Sequence, residues 1–202
     1  MAITSCIQSS VASNRCAFVA GRLTLLLAGL LASALAVADF APLTKDAFVV
    51  GYSREANNNT GSVSIIKVST DGPRIGLMQF DLSGITGTVS SATLTFNVVQ
   101  VLDAGTLGLH VVTGPTWAEN SVTYNTRPGF QATAATTTAV GFVGSVSVDV
   151  TTIVQQWVSN PSSNYGLALT MTGGYARLAS KESGNGATLD VQTSGGHHQT
   201  PV

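Results

Sequence analysis

The chain alternates between hydrophobic and polar residues over several short segments, most clearly over residues 91–98. There, every second residue is apolar, and threonine or asparagine falls between the last of them. A period of two places successive side chains on opposite faces of a β-strand, so this segment predicts a half-buried strand. Residues 74–81 carry apolar side chains on both faces, as a central strand does. Because the link between the two segments contains Gly84 and Gly87, we predict a long hairpin.

Similar patterns predict further strands, and one segment predicts a helix. Within residues 151–158, Ile153, Val154 and Trp157 recur at helical spacing, which places Trp157 on a buried face. Asp149 or Thr151 is the expected cap. About nine short strands with glycine-rich turns predict an all-β fold, an antiparallel β-sandwich of jelly-roll type with one short helix. The other strands are expected at residues 46–52, 62–68, 107–112, 146–150, 166–171, 176–180 and 187–192.

The N-terminal region has the three parts of a secretory signal peptide. Arg15 and Arg22 precede an uncharged, leucine-rich run that ends in Ala36-Val37-Ala38, with small residues where signal peptidase cleaves. We predict a signal peptide over residues 1–38 and a secreted, extracellular protein. The run is short for a membrane span, so no membrane contact is expected after cleavage. An uncleaved anchor is the alternative.

The predicted domain organisation follows from this cleavage site. Residues 39–45 are expected to be a linker, residues 46–192 a single β-sandwich domain, and residues 193–202 a disordered tail that contains His197 and His198. Cys6 and Cys16 both lie in the signal peptide, so the mature domain has no disulfide and is held by packing, aided at most by a bound ion.

Charge and motifs exclude several classes of function. The chain has 9 basic and 10 acidic residues, and Arg15 and Arg22 leave with the signal peptide. Such a balance does not suit nucleic acid or an acidic membrane surface. The sequence has no G-x-S-x-G elbow, H-E-x-x-H pair or phosphate-binding loop. We therefore predict that the protein is not an enzyme.

A calcium site is the metal site that the residues allow. Asp46 begins the first predicted strand and Glu182 precedes the last, so their carboxylates converge if those strands are neighbours. Asn57 or Asn59 could add a side-chain carbonyl oxygen, which suits calcium. The prediction is a structural calcium ion; the alternative is that these side chains are solvated or cap turns.

Two groups of residues have the chemistry of a sugar-binding surface. Sugar recognition uses aromatic rings for stacking and planar polar groups for hydroxyls or carboxylates. Each side chain could instead be structural, and Trp117 in particular could cover the end of the core. The candidates are Tyr124, Asn125 and Arg127 in a long loop, and Tyr165, Tyr175 and Arg177 near the C-terminus.

Several motifs, taken in order, resemble the DNRLRE-type domain, also classed as carbohydrate-binding module family 96. They are DAFV (46–49), NTG (59–61), MQFDLS (78–83), SATL (91–94), WAE (117–119), VTYNTRP (122–128), DVT (149–151), VQQW (154–157), NYGL (164–167) and ASKE (179–182). The resemblance covers nearly the whole mature chain and implies a secreted β-sandwich module.

The chain departs from the family pattern at a few positions. Lys181 replaces an arginine of the family's Ser-Arg-Glu, and Tyr124 replaces a tryptophan. The resemblance adds Lys181 to the candidate carbohydrate-binding residues. It implies a non-catalytic module that binds a polysaccharide, with an acidic polysaccharide as the expected class. The alternative is a structural or matrix-interaction domain that binds an extracellular protein partner and no sugar.

Overall fold

The computed structural model describes residues 36–194, which form twelve β-strands and one α-helix, α1 (Thr151–Ser159). Short 3-10 turns occupy Pro161–Ser163 and Lys181–Ser183. The strands are β1 (Ala36–Ala41), β2 (Leu43–Val50), β3 (Ile65–Ser69), β4 (Arg74–Phe80), β5 (Thr88–Asp103), β6 (Gly105–Gly114), β7 (Gly129–Phe130), β8 (Thr136–Val140), β9 (Gly144–Asp149), β10 (Leu167–Thr172), β11 (Tyr175–Ala179) and β12 (Thr188–Ser194).

The strands pair in antiparallel fashion and form two layers. One layer has the order β2-β4-β10-β6-β8, with β7 beside the end of β6. In the other layer, the long strand β5 pairs with β9 along one edge and with β12 and β11 along the other, and β1 and β3 lie outside β12 and β11. The two layers join where Ser69 of β3 pairs with Arg74 of β4. The predicted all-β sandwich with one short helix is confirmed.

The core lies between the two layers and is built from alternate residues of their strands. Phe80 and Leu109 of the first layer are fully buried with Phe96 and Leu178 of the second. Trp157 of α1, only 2% exposed, closes the same core, as the helical spacing predicts. The cap predicted at Asp149 or Thr151 is wrong, because α1 begins at Thr151 with Val150 as its N-cap. Asp149 Oδ1 still accepts hydrogen bonds from the backbone N–H and the hydroxyl of Thr151.

A second apolar cluster explains why β4 is hydrophobic on both faces. Ile75 and Leu77 point away from the main core and pack with Trp117 and Val122, which belong to the long loop between β6 and β7. That loop therefore covers the outer face of the first layer. The expectation of a central strand is confirmed, because β4 pairs with both β2 and β10.

The predicted hairpin between residues 74–81 and 91–98 is wrong. The two strands exist as β4 and β5, but β4 pairs with β2, β3 and β10, whereas β5 pairs with β9, β11 and β12. The glycine-containing link crosses from one layer to the other. Alternation of polarity reveals a strand and its buried face, but many partners satisfy the same pattern.

The predicted boundaries at both ends also need correction. Residues 39–45 are not a linker, because β1 ends at Ala41 and β2 begins at Leu43. The domain also continues past residue 192, since Thr193 is buried and β12 ends at Ser194. The cleavage site predicted after Ala38 falls inside β1. Residues 1–35 of the predicted signal peptide, with both cysteines, and residues 195–202 of the predicted tail lie outside the described residues.

Three strands had no clear sequence signal. In β8, threonine supplies three of the five residues, β7 has only two residues, and β1 overlaps the apolar N-terminal run. Within residues 36–194, no helix is both long enough and apolar enough to cross a membrane.

Candidate functional site

A cleft lies where the two layers join. Ser69 pairs with Arg74 of β4 and also with Tyr175 of β11. The guanidinium carbon of Arg74 is 5.0 Å from the ring centroid of Tyr175 and 5.3 Å from that of Tyr52, both within cation–π distance. Arg74 Nη1 donates hydrogen bonds to Ser69 Oγ at 3.1 Å and to the carbonyl oxygen of Asp71 at 3.2 Å. Tyr52, Arg74 and Tyr175 define the arginine–tyrosine cleft, whose volume is about 560 Å³.

Gly72 makes room for the exposed ring of Tyr52 beside this cleft. Its φ angle is +52°, a left-handed conformation that glycine adopts without strain. A Cβ atom at this position would lie 1.8 Å from Tyr52 Cζ. The turn before β4 therefore places both Arg74 and Tyr52.

Tyr175 and Arg177 continue from the cleft along the outer face of the second layer. Tyr175 and Arg177 point away from the core, since Ala176 and Leu178 between and beyond them are buried. The guanidinium carbon of Arg177 is 5.9 Å from the Tyr175 ring centroid, and its Nε is buried without a hydrogen-bond partner among the described residues. Lys67 of β3 pairs in register with Arg177.

The loop candidates form a second arginine–tyrosine stack beside the cleft. The guanidinium carbon of Arg127 lies 3.8 Å from the Tyr124 ring centroid, and Arg127 Nη1 donates a hydrogen bond to the Tyr124 carbonyl oxygen. Asn125 Nδ2 donates to Asn57 Oδ1 at 2.8 Å. The Tyr124 ring lies against Gly51. These side chains largely satisfy one another and close the loop onto the second apolar cluster.

Tyr165 lies apart from the other C-terminal candidates. It precedes β10, whereas Tyr175 follows it, so the length of that strand separates them. The Tyr165 carbonyl oxygen accepts a hydrogen bond from Trp117 Nε1 at 3.0 Å, and its side chain packs on the second apolar cluster. The grouping of Tyr165 with Tyr175 and Arg177 by sequence position is wrong.

Asp46, Glu119 and Glu182 form a carboxylate cluster, with one oxygen of each within 4.8 Å of the others. Asp46 lies in β2, Glu119 in the long loop and Glu182 in the turn before β12. Glu119 Oε1 accepts a hydrogen bond from the Asp46 backbone N–H at 2.7 Å, and Asp46 Oδ2 accepts one from the Lys181 backbone N–H at 2.8 Å. Lys181 Nζ lies 2.6 Å from Glu182 Oε1 and 3.3 Å from Glu119 Oε2.

Asp46 is the most deeply buried carboxylate of this cluster. It is only 1% exposed, and its Oδ1 is buried without a hydrogen-bond partner among the described residues. Burial raises the pKa of Asp46 to about 7. The hydrogen bond from the Lys181 backbone N–H lowers this pKa, whereas the negative charges of Glu182 and Glu119 raise it further. The hydrogen bond to Glu182 raises the pKa of Lys181. When all three carboxylates are ionised, their negative charge exceeds the single positive charge of Lys181, so a bound cation would stabilise the cluster.

The structure brings Asp46 and Glu182 together, but not by the predicted route. β2 and β12 are not neighbours in either layer; the turn at Lys181–Ser183 reaches β2 instead. The side-chain oxygen of Asn57, a predicted calcium ligand, instead accepts a hydrogen bond from Asn125 Nδ2. Asn59 Nδ2 donates to the carbonyl oxygen of Glu119 at 2.8 Å, so Asn59 positions the loop that carries Glu119.

Lys181 belongs to the carboxylate cluster and not to either arginine–tyrosine group. Its ammonium group contacts two carboxylates, so it is not presented for sugar binding. Sequence reasoning missed Glu119, Tyr52 and Arg74 as site residues. The WAE motif marked Glu119 only as part of a family pattern, and Tyr52 and Arg74 belong to separate predicted strands.

The sequence model described as carbohydrate-binding module family 96 matches residues 38–193. No curated protein matches the chain. The matched range contains the arginine–tyrosine cleft, the second stack and the carboxylate cluster.

Proposed function

The chain belongs to carbohydrate-binding module family 96, and on this premise we propose that the arginine–tyrosine cleft binds an acidic polysaccharide. One observation carries the proposal: Arg74 is fixed at cation–π distance from both Tyr52 and Tyr175 in an open cleft. Tyrosine rings stack on sugar rings, and a guanidinium group forms paired hydrogen bonds with a carboxylate.

Cationic side chains at the cleft and beside it are the basis for proposing an anionic polymer. Arg177 and Lys67 pair in register on adjacent strands beyond the cleft and offer two further cationic groups to a uronate-type polymer. Two exposed carboxylates, Asp71 and Asp103, also line the cleft. They can accept hydrogen bonds from sugar hydroxyls, which donate as well as accept.

Affinity electrophoresis of the full chain in gels that contain alginate, pectin or a neutral glucan tests this proposal. We expect retardation by an acidic polymer, and weaker retardation for Arg74→Gln. Arg127→Gln is the matched control, because it alters the other arginine–tyrosine stack. Equal retardation of wild type and Arg74→Gln would reject the cleft as the site. If no glycan retards the protein and an extracellular protein partner binds it, the structural alternative holds.

We also propose that the module is secreted and non-catalytic. Glycoside hydrolysis needs two carboxyl groups that flank a substrate bond. In the carboxylate cluster Asp46 is buried, and Glu119 and Glu182 are both paired with the ammonium group of Lys181 and not set on two sides of a substrate bond. Product release from polysaccharides that is lost in Glu119→Gln or Glu182→Gln would overturn this proposal. N-terminal sequencing of exported protein tests cleavage after Ala38.

A structural calcium ion at the carboxylate cluster is the proposed cofactor. Three carboxylate oxygens within 4.8 Å suit calcium, which prefers oxygen ligands at 2.3–2.6 Å. The buried and unpartnered Asp46 Oδ1 supplies the best-placed donor. Three ionised carboxylates and the ammonium group of Lys181 together carry two negative charges, which one divalent cation balances. Calcium binding there would tie β2, the long loop and the turn before β12 together.

A further inference from the structure

A second cavity lies at the opposite end of β4 from the arginine–tyrosine cleft. It is about 560 Å³ in volume, within the range of about 300–1,000 Å³ that is typical of small-molecule sites. The end of β4, the link that follows it and the C-terminal end of α1 enclose it. Phe80, Leu82 and Ile85 give it an apolar wall. The fold thus offers a second ligand-sized space that the proposed function does not use.

Three residues that line this cavity have a buried polar atom without a hydrogen-bond partner among the described residues. They are Gln79 with Oε1, Asn164 with Oδ1 and Trp157 with Nε1. Trp157 is 2% exposed, and an indole N–H can only donate. Buried polar groups are ordinarily paired, so these three atoms are available to form hydrogen bonds with a polar ligand.

The orientation of the two amides is fixed by their other hydrogen bonds. Gln79 Nε2 donates to the Asn164 carbonyl oxygen at 2.6 Å, and Asn164 Nδ2 donates to the Phe80 carbonyl oxygen at 3.0 Å. Their side-chain oxygens therefore remain as acceptors without a partner among the described residues.

We propose that this cavity binds a neutral mono- or disaccharide unit through its hydroxyl groups. A hydroxyl can donate to the amide oxygens of Gln79 and Asn164 and accept from Trp157 Nε1. The charged side chains at the cavity are already engaged: Lys45 Nζ donates to the Trp117 carbonyl oxygen at 3.1 Å, and Asp81 Oδ1 accepts from the Ser83 N–H at 2.8 Å. Because Lys45 and Asp81 carry opposite charges, the lining has no net charge to attract an ionic ligand, which favours a neutral one, independently of the acidic polymer proposed for the cleft.

The two tryptophans allow a direct test by nuclear magnetic resonance of the full chain. Titration with neutral disaccharides, such as maltose and cellobiose, is expected to shift the indole N–H signal of Trp157 in a saturable way. Trp117 is the internal control, since its Nε1 already donates to the Tyr165 carbonyl oxygen. No shift at Trp157, or equal shifts of both signals, overturns the proposal.

Trp157→Phe provides the matched variant, because it removes the N–H donor, keeps an aromatic ring in the core and breaks no protein hydrogen bond. We expect disaccharide affinity, measured by calorimetry, to fall about tenfold, as for the loss of one good hydrogen bond of about 1.4 kcal/mol. Unchanged affinity rejects the site. Arg74→Gln should leave disaccharide affinity intact, which separates this proposal from the cleft. Parallel titration with a neutral glucan tells a free sugar from a polymer end.

Discussion

Arg74 and Tyr175 pair with the same residue, Ser69, from opposite sides, and this brings the guanidinium carbon of Arg74 to 5.0 Å from the Tyr175 ring centroid. The two residues begin different strands, in different layers of the sandwich. The contact therefore lies where the two layers join, and a ligand bound there would touch both layers.

Tyr175 is expected to act through its ring and not through its hydroxyl group. Tyr175→Ala should weaken binding of an acidic polysaccharide about tenfold or more, because aromatic stacking of about 0.5–1.5 kcal/mol and the cation–π contact are lost together. Tyr175→Phe should bind as the wild type does. Retardation coefficients of the two variants in the same gels check this. Equal losses in both would assign the role to the hydroxyl group.

Asp103 is expected to limit affinity for acidic polymers. It is exposed and lines the cleft, so it repels an incoming carboxylate. Asp103→Asn should strengthen binding to an acidic polysaccharide about two- to fivefold at low salt, with the gain shrinking as salt screens the charge. Binding to neutral glucans should not change. Calorimetry at two salt concentrations measures this, and a gain that is independent of salt would contradict it.

Gly72→Ala is expected to destabilise the turn that precedes β4. Alanine at φ +52° is strained by about 1 kcal/mol, and its Cβ would collide with the Tyr52 ring. Chemical denaturation should therefore show a loss of at least that size, together with weaker polysaccharide binding because Tyr52 is displaced. Gly84→Ala is the control, since a Cβ there meets no atom within 4 Å. Equal effects of the two variants would contradict the prediction.

Calcium is expected to raise the melting temperature of the protein. An ion that binds only the folded state adds about 2.7 kcal/mol at a hundredfold excess over its Kd. Asp46→Asn should remove this response, since it removes the charge of the best-placed donor. Thermal unfolding with calcium and with chelator measures the effect. A melting temperature that chelator does not change would exclude a stabilising ion.

Without calcium, stability is expected to fall as the pH rises from about 4 to about 7. Asp46 has its ordinary pKa of 3.8 in the unfolded chain, and burial raises the pKa to about 7 in the fold. The folded protein therefore binds the proton more tightly between these values, so raising the pH removes a stabilising proton; above about 7 this contribution is constant. Melting temperatures in chelator should show the decline, and Asp46→Asn should lack it. The same decline in that variant would assign it to another group.

The sequence was sufficient for properties that depend on local pattern. The threonine-alternating residues of β5, the two apolar faces of β4 and the buried position of Trp157 all follow from which side chains must leave water. The family match to residues 38–193 confirms the resemblance that its ordered motifs indicated. Burial of a face is a property of one segment, so one segment is enough to predict it.

Strand partners and side-chain clusters were decided only by the tertiary structure. The link after β4 crosses between layers where a hairpin was predicted, because any exposed strand edge of matching length satisfies the same alternation. The sequence pattern likewise did not show that Arg74 packs against Tyr175 and Tyr52 or that Lys181 contacts Glu119 and Glu182. It also did not show that Tyr165 lies away from the cleft. Apart from the contact between the neighbours Lys181 and Glu182, these contacts join residues far apart in the chain, and their geometry depends on the tertiary packing.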